Sequence, residues 1–497
     1  MHDTSTHGAT RAAGSGSAAD GTSAGHHGTW LVVALLCAAQ FMLILDITVV
    51  NVALPSIQAD IGLAIGDLQW VVTAYTLAFG GLIILGGRAG DLFGRRRMFL
   101  AGLTMFTIAS LAAALAPNPG VLIAARAAQG VGAALLSPSA LALISTVVPE
   151  GQRRHRALAV WAAVAASGGA VGVLIGGLLT EALGWQAIFL INVPVGAAVA
   201  AAVLRVVPSV PPIAGGRLDL IGALLATGSL VALIYGLVQA ESAGWTSGQT
   251  LGLFALAAMG IAAFLLAQRR VPNPLVPLSV FRRRPTVVAL VLMILGMGPV
   301  FSGFFFSSLY LQSVLGHSAL RTGVEFLPIA VAIVAAAHGG GHLISRFGAK
   351  PVIAVGLALG AGGALLLSGL PAAGSYLADL LPGFLLLGAG GGLAAAGVMI
   401  TAMSGAGQDD AGLVSGLTNT AHELSIALTL PVLATIAASQ VGAGVLLADA
   451  ATGALADGIA GAFRAAAVIA MAGVLVATFL LRRTDVAAGT GHPHALH

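Results

Sequence analysis

Apolar residues run in long blocks along this chain, and short polar segments, many bearing arginine, separate them. A helix crossing the hydrocarbon core of a bilayer needs about 20 mostly apolar residues. Fourteen blocks qualify: 30–54, 68–87, 98–116, 121–145, 157–181, 186–206, 218–239, 249–268, 286–312, 322–344, 351–370, 377–402, 411–440 and 461–481. Glycine and proline recur inside them, which spanning helices tolerate better than helices in water. The pattern predicts an all-α membrane protein with 14 transmembrane helices. Residues 1–29 and 483–497 are polar and read as disordered tails. The first block is long enough to span and stay, so no cleavable signal peptide is expected.

One polar segment occurs twice. Gly86-Gly87-Arg88-Ala89-Gly90-Asp91-Leu92-Phe93-Gly94-Arg95-Arg96-Arg97 follows the second span, and Gly341-His342-Leu343-Ile344-Ser345-Arg346-Phe347-Gly348-Ala349-Lys350 follows the tenth. At constant offset Gly87 matches Gly341, Phe93 matches Phe347, Gly94 matches Gly348 and Arg96 matches Lys350, while Asp91 falls on Ser345. A repeated basic turn after the second helix of each copy implies duplication. The expected organisation is two six-helix pseudo-symmetric bundles, 30–206 and 286–482, joined by 207–285 with two inserted helices.

Composition agrees with a lipid solvent. The chain is 58% hydrophobic and 8% charged with a mean hydropathy of +0.98, whereas soluble domains carry about 25% charged residues. With the N-terminus inside, all but three of the 22 Lys and Arg residues (Arg126, Arg321, Arg464) fall on the inner side. The positive-inside rule then puts both termini in the cytoplasm and supports an even span count. Trp30, Trp70, Trp185 and Trp245 fall near span ends, where interfacial tryptophans belong. The basic pI follows from that topology and is no sign of nucleic-acid binding. The single cysteine, Cys37, excludes an internal disulfide and a cysteine metal cluster.

Ionisable groups inside spans are costly and mark candidate chemistry. Asp46 lies about nine residues, roughly 13 Å, from the outer end of span 1, and Arg126 about five residues, roughly 8 Å, inside span 4. Those depths allow an ion pair, for which a cationic substrate or a proton could compete; the plainer reading is a pair that only orients the two helices. Glu325 sits one turn inside span 10, as a proton carrier or as a vestibule group paired with Arg321 at i−4. Glu423, beside His422, lies near the middle of span 13 and forms a candidate proton relay or a polar interhelical contact. Phe301, Phe304, Phe305 and Tyr310 form a candidate aromatic pocket, with ordinary packing the plainer reading. Gly168, Gly169, Gly172, Gly176 and Gly177 in span 5, like Gly388, Gly390, Gly391 and Gly392 in span 12, allow close packing and are not phosphate loops. The span 5 seam is expected to be a moving interface between the halves. Gly87, Asp91, Gly94, Arg95 and Arg96 are expected to latch the inner face, beyond their role in topology.

No metal site or cofactor is expected. His338 and His342 have i, i+4 spacing but no third ligand nearby, which favours lining of the inner vestibule. His2, His7, His26, His27, His492, His494 and His497 sit in tails without fixed geometry.

At this point the chain resembles the major facilitator superfamily, and within it the fourteen-helix drug:proton antiporter branch. Leu45-Asp46-Ile47-Thr48-Val49-Val50-Asn51-Val52-Ala53-Leu54-Pro55 resembles the first-helix signature of that branch, and Arg126-Ala127-Ala128-Gln129-Gly130-Val131-Gly132 its fourth-helix arginine motif. The stretch from Trp185 to Gly196, with Phe189, Asn192, Val193 and Pro194, resembles the approach to helix 6, and Ser415-Gly416-Leu417-Thr418-Asn419-Thr420 fits the second half. The repeated turn resembles the cytoplasmic turn between helices 2 and 3. Two features depart. Gly172-Val173-Leu174-Ile175-Gly176-Gly177 has valine where the antiporter motif has proline, which weakens an inference about direction. Gln408-Asp409-Asp410 offers no basic partner for Asp91, leaving it to helix-end amides or its own arginines. The resemblance implies the major facilitator fold and proton-coupled efflux of amphipathic drugs or antibiotics across the cytoplasmic membrane by a monomer. Its partners are protons, lipid and a small amphipathic molecule. A same-fold transporter importing or exchanging a metabolite is the alternative. A membrane enzyme or sensor is disfavoured, for no ATP loop or nucleophile–base set is present.

Overall fold

The computed structural model describes residues 20–149, 151–207, 219–272, 274–404, 411–441 and 452–482. Of the sequence expectations, most of the N-terminal tail, the C-terminal tail and Gln408-Asp409-Asp410 lie outside them. The described residues contain helices and no strand. Helix is what a backbone in lipid requires, since it pairs its own N–H and C=O groups.

Fourteen long helices follow in order: α1 (Asp20–Ile61), α2 (Trp70–Phe93), α3 (Arg95–Ala114), α4 (Pro119–Val147), α5 (Gln152–Leu183), α6 (Asn192–Val206) and α7 (Leu220–Ala243). Then come α8 (Gly248–Arg270), α9 (Arg284–Leu309), α10 (Leu327–Phe347), α11 (Ala349–Leu367), α12 (Leu381–Ser404), α13 (Ala411–Val441) and α14 (Thr452–Leu480). Thirteen described segments are long and apolar enough to cross a membrane, and α5 is the fourteenth, apolar over Ser167–Leu183. The largest boundary differences from the sequence reading are at two starts. α1 begins at Asp20, ahead of the first apolar block at 30, and α14 begins at Thr452 where the apolar block suggested 461. The tenth span is also broken at Phe326 into a short helix, Ala319–Glu325, and α10. Pro328 in the first turn of α10 lacks an N–H and cannot continue the preceding helix.

The duplication is visible in the packing. In the first half α2 and α3 pack on α4, α1 packs on α5, and α6 packs on α1 and α3. Adding eight to every label reproduces the second half: α10 and α11 on α12, α9 on α13, and α14 on α9 and α11. Across the halves α2 meets α13, while α5 meets α10 and the short helix before it. The same shift exchanges those two seams, as a pseudo-two-fold axis between bundles requires. The two basic turns match as well: Gly94 has φ +98° and Gly348 φ +84°, a left-handed backbone that glycine adopts without penalty.

Close approach holds the helices, because burial of apolar side chains gives little preference for protein over lipid. A Cβ on Gly102 of α3 would lie 2.6 Å from the carbonyl oxygen of Gly132 on α4. In the counterpart pair a Cβ on Gly390 of α12 would lie 2.4 Å from the amide nitrogen of Gly360 on α11. The inserted helices α7 and α8 pack on each other, and α7 also rests on α2 and α13. α8 is the least enclosed of the thirteen apolar segments, with most of its residues facing away from the protein.

Candidate functional site

A cavity of about 1150 Å³ lies between the halves. α1, α2, α4 and α5 form one wall, and α9, α10 and α13 the other. It reaches the arginine-bearing (basic) end at Arg88, Asp91 and Arg95, and runs inward as far as Asn51 and Phe304. Beyond them the far end is closed by backbone contact. A Cβ on Gly177 of α5 would lie 2.5 Å from the carbonyl oxygen of Ala319, and one on Gly323 would lie 2.5 Å from that of Val173. Gln312 Nε2 donates to the Val52 carbonyl at 2.8 Å, and the Leu320 N–H donates to Glu181 Oε2 at 2.9 Å. A separate apolar groove of about 890 Å³ runs along α3 and α4 and carries no titratable side chain.

Glu423 lines the cavity from α13 at the point where that helix crosses α2. The crossing is tight because α2 presents Gly80 there, whose Cβ would lie 2.6 Å from the Cβ of Glu423. Oε1 of Glu423 is 3.3 Å from Nδ1 of His422, while Oε2 is buried without a hydrogen-bond partner among the described residues. An oxygen in that position can take up a proton or face a ligand cation in the cavity. The ring of Phe301 stands edge-on to His422 at 5.0 Å, with Phe304 6.5 Å further along the wall. Gln40, Asn51 and Asn419 add amide groups to the same surface.

Asp46 does not line the cavity. It is fully buried inside the first bundle, where Oδ2 accepts from Arg126 Nη1 at 2.5 Å. Oδ1 accepts from Gln129 Nε2 at 3.0 Å and from Asn192 Nδ2 at 2.8 Å. Arg126 in turn donates through Nε to the Val71 carbonyl at 2.8 Å and through Nη1 to Gln129 Oε1 at 2.8 Å. Its guanidinium lies 4.5 Å from the ring centre of Tyr75 and 5.8 Å from that of Phe189. Ser110 Oγ accepts from Gln129 Nε2 at 2.8 Å, which ties α3 into the network. Five helices of one half thus converge on one carboxylate. Depth alone pointed to the Asp46–Arg126 pair. The roles of Gln129, Asn192 and Ser110 were missed, and Gln129 one turn beyond Arg126 was the available signal.

Glu325 ends the short helix at the far end and also lies outside the cavity. Its Oε1 accepts from Arg321 Nε at 3.0 Å, Oε2 is 2.8 Å from His317 Nδ1, and its carbonyl accepts from the Tyr376 hydroxyl at 2.7 Å. The aromatic pocket divides. Phe301 and Phe304 line the cavity, whereas Phe305 and Tyr310 are buried in the second-half core. Tyr310, nine residues beyond Phe301, falls on the opposite face of the helix, and its hydroxyl donates to Pro371 at 2.5 Å.

The helix 5 seam needs correction. Gly168 faces Ile44, Gly172 faces Thr48 and Gly176 faces Val49, all on α1 of the same half. Of the other two, Gly177 faces the other half and Gly169 lines the cavity between the halves. These positions, four residues apart, keep one face of α5 on α1 and leave the adjoining face for Gly177. α5 continues unbroken through Val173, where the antiporter motif carries proline.

At the basic end Asp91 pairs with Arg95 at 3.0 Å, one turn apart. Arg95 also donates to the Ala142 carbonyl at 3.3 Å and to the Thr146 hydroxyl on α4. Arg96 donates to the Leu204 carbonyl on α6 at 2.6 Å. Among the described residues, every hydrogen bond of these three side chains runs within the first half. Gly87 and Asp91 line the mouth, and Gly94 makes the turn. His338 lines the mouth from α10, and His342 is exposed.

Two six-helix bundles related by a pseudo-two-fold axis, with a central cavity at their interface, define a secondary transporter. The family profile of the Major Facilitator Superfamily matches residues 36–430, and the chain belongs to that superfamily. It is a multi-pass membrane transporter and not an enzyme. It is similar to the puromycin resistance protein pur8 of Streptomyces alboniger, 40% identical over 474 residues covering 93% of each chain. It is also similar to the cephamycin export protein CmcT of Amycolatopsis lactamdurans, 41% identical over 409 residues, 82% of this chain and 84% of that one. Among solved structures, the nucleoside transporter NupG superposes with a TM-score of 0.62 over 91% of this chain and 100% of its own, at 11% identity, a likeness of fold alone.

Proposed function

We propose that this protein exports amphipathic, cationic or aromatic drugs or antibiotics across the cytoplasmic membrane in exchange for protons, by alternating access. Both termini and the basic end face the cytoplasm, so the cavity is open inward. The bundles 30–206 and 286–482, joined by 207–285, rock against each other, and a monomer suffices. The names of the relatives support a drug as cargo. The observation that carries the mechanism is Oε2 of Glu423, buried in the cavity wall at the seam where the halves meet, with no hydrogen-bond partner among the described residues.

A cation entering from the cytoplasm pairs with Glu423 and lays its apolar body against Phe301 and Phe304. Once the halves have rocked, a proton arriving from outside neutralises the carboxylate, with His422 as relay, and the cation leaves. The empty carrier returns and gives up its proton inside. Asp46 and Arg126 keep the first bundle rigid while this happens. The test is ethidium efflux from proteoliposomes driven by an imposed pH gradient. Glu423→Gln removes the response to the gradient while the protein stays folded; an undiminished response would remove Glu423 from the mechanism.

A further inference from the structure

The inserted pair carries a buried polar cluster that the transport site does not use. Asp219 starts α7 and is 8% exposed. Its Oδ1 accepts from the Gly222 N–H at 2.8 Å, and its Oδ2 accepts from Gln268 Nε2 at 2.5 Å. Gln268, in the last turn of α8, turns its Oε1 to the Val276 N–H at 3.0 Å. Gly222 makes room, since a Cβ there would lie 2.2 Å from Asp219 Oδ2. One carboxylate therefore fixes the start of α7, the end of α8 and the linker that follows.

That linker does more than connect. Leu275, Val276 and Val280 are buried with Ala223 of α7 and Leu417 of α13, against Ile84 and Leu85 of α2. It wedges into the basic end of the α2–α13 seam and touches both halves. Pro274, Leu275 and Pro277 also line the transport cavity. Proline on both sides fixes φ, so the turn forms a stiff piece of wall.

We propose that Leu275, held by the Asp219–Gln268–Val276 chain, is a specificity-determining residue: the insert sets how bulky a substrate the inner mouth accepts. This rests on the reading of the cavity as the substrate path. Asp219 is then a positioning residue. Only a carboxylate accepts hydrogen bonds on both oxygens. In Asp219→Asn one donor, the Gly222 N–H or Gln268 Nε2, faces an NH₂ group, and the wall loosens without loss of volume.

The experiment measures KM and kcat of the full chain in proteoliposomes for ethidium, tetraphenylphosphonium and rhodamine 6G, in order of increasing bulk. Leu275→Ala is expected to lower the KM for rhodamine 6G relative to tetraphenylphosphonium about tenfold. Leu275→Trp shifts the ratio the other way, and Asp219→Asn shifts it as Leu275→Ala does, with kcat changing less than KM. Leu275→Val repeats the test if the larger changes do not fold. Unchanged KM ratios in transporting variants, or a uniform fall in kcat for all three cations, overturn the proposal. A wild-type protein that moves none of the three overturns the export reading itself, and the proposal with it.

Discussion

Asp46 and Glu423 are both carboxylates buried among apolar helices, yet their surroundings differ in every respect that matters for chemistry. Asp46 is fully buried, with a cation on one oxygen and two amide donors on the other. Glu423 has one imidazole contact, one oxygen with no partner, and a place on the cavity wall. Sequence alone ranks them alike, since each is an acid inside a span. The structure separates them by whether a proton or a cargo molecule can reach the group without first breaking other bonds. On the proposed reading, a saturated carboxylate organises helices, and an unsaturated one in a cavity exchanges ions.

The largest expected effect breaks the saturated site. Asp46→Asn leaves the Arg126 guanidinium buried without its counter-charge and turns an amide donor toward other donors. Removing one member of a buried pair costs roughly 3–5 kcal/mol. Thermal unfolding in detergent, followed by fluorescence-detected size exclusion, should show most of the variant lost; wild-type stability with a flat pH profile would instead give Asp46 the proton-coupling role. Next comes Glu423→Gln, expected to keep its fold and lose gradient-driven efflux about 100-fold, equivalent to roughly 2.8 kcal/mol. A shorter step is Gln129→Leu, which removes a donor to Asp46 and a donor to Ser110 while sparing the ion pair. That variant should lose about 2 kcal/mol of stability and keep its response to pH. A changed pH optimum there would show that Asp46 also exchanges protons.

Much of the architecture was legible because lipid leaves the chain few choices. Apolar block length set the helices, and the arginine distribution with the repeated turn set the six, two and six arrangement. The Asp46–Arg126 pair was legible from depth, for two opposite charges at matched levels have strong reason to meet. Direction around a helix was not legible where every face is apolar. Gly168, Gly172 and Gly176 turn toward α1, yet nothing in their own composition separates them from Gly177, which turns toward the other half. Phe305 and Tyr310 went into the core for the same reason, since lipid-facing, core-facing and cavity-facing aromatic residues share one alphabet. Neutral polar groups were the other gap. Asn192 is cheap enough to bury that its presence raised no alarm, and only the converging bonds on Asp46 reveal its place.

A third acid grades the contrast. Asp91 stands at the cavity mouth with 40% of its side chain exposed, and its partner Arg95 is 26% exposed. Water screens such a pair, so it is worth about 0.2–1 kcal/mol. Arg95 also keeps its bonds to Ala142 and Thr146 when the acid is gone. The second turn shows that the arrangement survives without the acid: Ser345 takes its place, Ala349 stands where Arg95 would, and Gly348 still turns the chain at φ +84°. Asp91→Asn should therefore lower the unfolding temperature by no more than a few degrees, with a smaller effect at high salt. Any effect on transport should be read as a rate. If the turn latches the inner face when the mouth closes, the variant will slow exchange while its affinity for ethidium, measured with the mouth open, stays the same. A loss of affinity in place of rate would give Asp91 the cation-binding role proposed for Glu423, and exposure would then be a poor guide to which carboxylates carry cargo.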